Sequence, residues 1–179
     1  MKSIKETSLA FIDLETTGFD PEKQEIIEIG CIVLRQPDLK VLAELDLKVK
    51  PEHIETAEPE ALAVNGYNSG DWLFAVDLAQ ALKALNEKAE GAIMVSHNIT
   101  FDWPFLQHAF AKTGVPNNLA RVRLDLLSMA FVKLCQNDRV QRFNLGALAE
   151  FFGLKNAQAH TAMADIATSV EIYKKLLTC

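Results

Sequence analysis

The sequence predicts a mixed α/β domain, a sheet begun by antiparallel strands and then extended between helices. Three observations carry this reading. The first fifty residues hold three strand-like runs separated by short polar turns. Beyond them, apolar residues recur at helical spacing. One short apolar run, GAIMVS (91–96), interrupts those helices as a further strand. Strands followed by alternating helices and strands give a sheet with helices on its faces.

The elements follow in order. SLAFIDL (8–14) is apolar and β-rich, and EIIEIGCIVL (25–34) carries β-branched residues throughout. KVLAELDLKVK (40–50) alternates apolar and polar residues, as a half-buried strand does, and Gln36-Pro37-Asp38 turns the chain before it. EPEALAV reads as a short helix stopped at Asn65-Gly66. Asp71 is positioned to cap a longer helix in which Leu78, Leu82 and Leu85 recur. FDWPFLQHAFAKTG (101–114) predicts a helix with Pro104 in its first turn and Gly114 at its end. Asp125 caps a helix running to about Cys135, Asn144 starts a short one ending at Gly153, and QNDRVQRFN (136–144) between them reads as an exposed loop. Thr161 to Leu177 forms the last helix, with Ala162, Ile166, Val170, Tyr173 and Leu177 as its buried stripe.

Bulk properties narrow the function. The 179 residues suit one domain over the whole chain, 1–179, and 49% hydrophobic residues supply a core. No run approaches the length needed to span a bilayer, and the N-terminus lacks a secretory signal. Cys31, Cys135 and Cys179 form no zinc-binding spacing and read as reduced thiols of a cytoplasmic protein. A net charge of −6 argues against a protein that coats long stretches of duplex. It leaves room for a nucleic-acid enzyme with an acidic metal site.

Four stretches stand out. In FIDLETTGFD (11–20), strand alternation sets Asp13 and Glu15 side by side on one face. Adjacent carboxylates repel unless a cation lies between them, and Mg²⁺ or Mn²⁺ prefers such oxygen ligands. SHNITFDWPFL (96–106) places Asn98 and Asp102 where a strand passes into a helix, the end of an α/β sheet at which ligand groups collect. HTAMAD (160–165) sets His160 before the last helix and Asp165 one turn into it, and ALAVNGY (61–67) is a short apolar helix closed by Asn-Gly. Singly, each has an ordinary explanation: a solvated strand end for Asp13 and Glu15, a helix cap for Asp102, solvent exposure for His160 and Asp165. His53, His97 and His108 are read as surface or local packing residues.

Jointly they resemble the DEDD 3′–5′ exonuclease superfamily, in its branch with a catalytic histidine, which includes the proofreading subunit of the bacterial replicative polymerase, RNase T and oligoribonuclease. D-x-E-T-T-G stands as Asp13 to Gly18, H-N-x-x-F-D as His97 to Asp102, and H-x4-D as His160 to Asp165. The resemblance implies an RNase H-like mixed five-stranded sheet flanked by helices. It implies a hydrolase that removes nucleoside 5′-monophosphates from single-stranded or frayed 3′ ends, using two divalent metal ions, Mg²⁺ or Mn²⁺. Asp13 would bridge the ions, Glu15 and Asp165 would hold the one that activates water, Asp102 would support the other, and His160 would be the general base. Thr16, Thr17, Gly18, Phe19, Leu62, Asn65, Asn98 and Phe101 would surround the terminal nucleotide, with core packing the alternative for Phe19, Leu62 and Phe101. The first motif reads closer to the DNA-proofreading group, which favours DNA over RNA. The alternatives are a subunit working through a DNA polymerase or repair complex, and an exoribonuclease that trims RNA. Relatives of the RNase T kind act as homodimers, so a homodimer is the implied oligomer.

Overall fold

The computed structural model describes residues 3–154 and 161–179. Five strands form one mixed sheet in the order β3-β2-β1-β4-β5. β1 (Leu9–Thr16), β2 (Ile26–Leu34) and β3 (Val41–Lys48) run antiparallel in sequence, the meander that the short connections predict. β4 (Ile93–Ser96) then joins β1 in parallel, and β5 (Arg123–Asp125) joins β4 in parallel. β5 is three residues long and gives no strand signal in the sequence.

β1 lies at the centre and is buried on both faces. Leu9 and Phe11 face a cluster with Ile32, Leu34, Val95 and the helices α4 (Leu126–Leu134), α5 (Leu145–Phe151) and α6 (Ala162–Thr178). Ala10, Ile12 and Leu14 face the opposite cluster, with Ile29, Cys31, Val33 and the helices α2 (Leu78–Ala89) and α3 (Ile99–Thr113). Period-two alternation therefore sends Asp13 and Glu15 to the face covered by α6. β3 is an edge strand with mostly exposed or half-buried side chains.

Helix boundaries follow local chemistry. α1 (Pro59–Asn65) ends at Gly66, whose φ of 67° only glycine adopts cheaply. Asn144 and Thr161 cap α5 and α6 through their side chains, and Asp125 caps α4. Three expectations need correction. Asp77, not Asp71, caps α2 by accepting the Gln80 N–H, while Asp71 closes a turn with Asn68. α3 starts two residues before Phe101, so Pro104 lies inside it rather than in its first turn. Leu176, not Leu177, completes the buried stripe of α6; Leu177 is 53% exposed.

Candidate active site

Two residues of β2 explain how α6 reaches the acids of β1. In register, Asp13 lies beside Gly30 and Glu15 beside Glu28. A Cβ on Gly30 would sit 2.6 Å from Ile166 Cδ1 and 2.9 Å from Ala162 Cβ. Only a missing side chain lets α6 lie this close to the sheet. Asp165, one turn into α6, is thereby brought to β1. Ligand oxygens of Asp13, Glu15 and Asp165 lie within 4.8 Å of one another, and all three residues are partly exposed.

The acids of this cluster repel one another. Burial, then Asp102, Glu15 and Asp165, push the Asp13 carboxyl well above its usual range. Burial and the neighbouring Glu28 raise Glu15 to about 7. A hard divalent cation would relieve that repulsion, and three carboxylates with open valences suit it. Asp13, Glu15 and Asp165 fit the role.

Asp102 is held differently. It is 2% exposed, at the start of α3, and accepts hydrogen bonds from the Leu14 N–H (3.2 Å) and from the Ser96 hydroxyl. Burial lifts it to about 7 against those bonds. It ties the end of β4 to β1 between Asp13 and Glu15, and it acts on Asp13 through space. Its helix start is fixed by Asp125, whose Oδ1 accepts the N–H groups of Asn98 (3.1 Å) and Ile99 (3.2 Å). Asn98 itself sits at φ 68° as the α3 N-cap, exposed. His160 lies outside the described residues.

Beside the acids is a cleft of about 170 Å³ lined by Leu14, Glu15, Thr16, Gly18, Phe19, Glu60, Ala61, Val64, Asn65 and Phe101. Phe19 is 73% exposed and meets Phe101 edge-on at 6.1 Å between ring centroids. Among the motif residues, several are committed inside the protein. Thr17 is fully buried; its hydroxyl donates to Gln24 Oε1 (2.7 Å) and accepts the Glu25 N–H (2.8 Å). The Thr16 hydroxyl donates to the Gly18 carbonyl (2.7 Å). Asn65 donates to the Thr16 carbonyl (3.0 Å), so it braces the strand end from α1. At Gly18 an added Cβ would lie 2.5 and 2.8 Å from the flexible side-chain ends of Glu58 and Gln24, which would have to move aside. From α1, Ala61 and Val64 line the cleft; Leu62 and Asn98 are not among its lining residues.

Sequence reasoning passed over Glu28, Gly30 and Ser96, and it read Asp125 as the cap of α4 without its hold on the start of α3. For the first two a signal existed: a charge and a glycine inside the otherwise apolar run IIEIGCIVL. In a fully buried strand the glycine marks a close approach to the backbone, and the charge marks a paired side chain.

Comparison with known proteins identifies the arrangement as a nucleic-acid-hydrolysing fold. The family model described as Exonuclease, of the RNase T kind, matches residues 10–173. The chain belongs to this family, a group of 3′–5′ exonucleases of the DnaQ type. It is 28% identical over 179 residues to ribonuclease T of Klebsiella pneumoniae, covering 93% of this chain and 82% of that protein. It is 29% identical over 175 residues to a PolC-type DNA polymerase III of Caldanaerobacter subterraneus, covering 96% of this chain but only 12% of the polymerase. Exonuclease I of E. coli, solved with a dT13 oligonucleotide, shares the fold with a TM-score of 0.81 at 18% identity, over 96% of this chain and 41% of that one. No helix among the described residues is long and apolar enough to cross a membrane.

Proposed function

We propose that this chain is a divalent-metal-dependent 3′–5′ exonuclease acting on single-stranded or frayed 3′ ends, with DNA preferred to RNA. The observation that carries it is the convergence of Asp13, Glu15 and Asp165, separated by up to about 150 residues in sequence, within 4.8 Å beside an aromatic-edged cleft. Two ions, Mg²⁺ or Mn²⁺, would supply charge stabilisation at the phosphoryl oxygens and acidify a bound water. Asp13, Glu15 and Asp165 hold that charge; Asp102 fixes the β1 backbone between the first two. Phe19 and Phe101 offer ring faces and edges to the terminal base, the sequence-tolerant contact suited to single strands. His160 takes the proton of the attacking water. Val64 and Ala61 of α1 line the cleft.

A second reading, an exoribonuclease that trims RNA as a homodimer, is favoured by the match to ribonuclease T over most of that protein's length. The similarity to PolC-type polymerase supports work beside a polymerase in the same terms. The test is digestion of 5′-labelled single-stranded DNA and RNA of matched sequence with Mg²⁺, Mn²⁺ or EDTA, beside an Asp13→Ala control. The expected result is a ladder shortening from the 3′ end, faster on DNA and absent with EDTA or in the control. Faster cleavage of RNA selects the second reading. No cleavage of either polymer by folded protein overturns both.

A further inference from the structure

Glu28 is a carboxylate within a buried strand, 3% exposed, and the site described above assigns it no task. Its two oxygens are engaged on different elements. Oε1 accepts the N–H of Ala162 at 3.0 Å, and Oε2 meets Lys48 Nζ at 3.2 Å. Ala162 is the first residue of α6, and its N–H is one of those that a helix leaves without an intrahelical acceptor. Lys48 reaches across from β3, opposite Glu28 in register, with its ammonium 3.7 Å over the Trp72 ring. Trp72 is in turn fixed by its indole N–H to the Ile27 carbonyl (2.8 Å). Glu15, Glu28 and Lys48 therefore form one row across β1, β2 and β3.

We propose that Glu28 is a positioning residue for the exonuclease reaction. It clamps the first turn of α6 to β2, and so fixes where Asp165 stands against Asp13 and Glu15. This rests on the function proposed above. Thr161 caps α6 through the Ala164 N–H (3.3 Å), so Glu28 satisfies a different donor and ties it to another element of the fold. Gly30, two residues along β2, lets the helix come close; Glu28 sets where along the strand it stops. Because both oxygens are occupied and Lys48 offsets the charge, Glu28 is held back from competing with the adjacent Glu15 for a cation.

The role separates from simple charge balance by the order of two variants. Glu28→Gln keeps an acceptor at the same reach for the Ala162 N–H and gives up the charge facing Lys48. Glu28→Asp keeps the charge but draws the acceptor back by one methylene, and Lys48, on a long flexible stem, can follow it. The expected result is that Glu28→Asp lowers kcat by about 100-fold with KM within about threefold, the scale of a misplacement near 1 Å, while Glu28→Gln retains most of kcat. Amide hydrogen exchange at Ala162, read without substrate or metal, is expected to quicken by about tenfold in Glu28→Asp and not in Glu28→Gln. The opposite order, with Asp near wild type and Gln impaired, overturns the proposal in favour of charge balance. Unchanged kcat and exchange in both variants overturns it outright. If the wild-type protein digests neither polymer, the proposed function fails; the exchange measurement still decides whether Glu28 anchors α6.

Discussion

Raising the pH of the metal-free protein should weaken it, and a divalent cation should cancel the loss. Glu15 is lifted from 4.5 to about 7 by burial and by Glu28, Asp165 and Asp102. Its folded form thus binds a proton more tightly than its unfolded form. For an acid whose folded pKa is raised, the stability is present below the unfolded pKa and is lost as pH climbs through the folded one. The window is therefore about pH 4.5 to about 7. The shift corresponds to about 3 kcal/mol from this one group. In a domain of this size that is a fall of roughly 6–12 °C in Tm. Asp13 and Asp102 act in the same direction. The assay is thermal melting at a series of pH values in EDTA, in Mg²⁺ and in Mn²⁺, with Glu15→Gln alongside. The wild type in EDTA should lose Tm between about pH 4.5 and about pH 7 relative to Glu15→Gln, which lacks the titration. Metal should raise Tm more at the upper end than at the lower. Parallel pH profiles for wild type and Glu15→Gln, or an equal metal increment at both ends, would refute the reasoning.

Other perturbations probe the parts separately. Gly30→Ala places a Cβ 2.6–3.0 Å from Ile166 and Ala162; it should cost about 1–3 kcal/mol by denaturant unfolding and lower activity by pushing α6 off the sheet. A variant with wild-type stability and turnover would show that the helix yields freely there. Asp102→Ala strands the Leu14 N–H and Ser96 hydroxyl in the interior; roughly 1–3 kcal/mol of lost stability should accompany loss of activity, and activity at the wild-type level would remove Asp102 from the machinery. Phe19→Ala removes an exposed ring with little packing to lose. Stability should hold while single-strand binding weakens by about 1–3 kcal/mol in a titration, and unchanged affinity would take the ring out of the binding surface.

The sequence by itself determined most of the elements in their order, and the family. Apolar alternation in FIDLE settles that Asp13 and Glu15 share a face, and the polar cap residues Asp125, Asn144 and Thr161 mark helix starts because their side chains satisfy orphan N–H groups within three residues. Those are local effects, and a local reading suffices. Three motifs in order were enough to suggest the family, which the family match bears out. What only the tertiary structure decided is which groups meet across the chain. β5 exists because β4 offers it an edge, not because RLD favours a strand. That Asp102 binds the Leu14 N–H and the Ser96 hydroxyl is not legible locally, because both partners come from other elements. Thr16, Thr17 and Asn65 also make hydrogen bonds within the fold that no local pattern foretells. Glu28 and Gly30 gain meaning only from α6, more than 130 residues further along the chain. Spacing encodes which way a side chain points, whereas its partner is fixed by packing, to which every distant segment contributes at once.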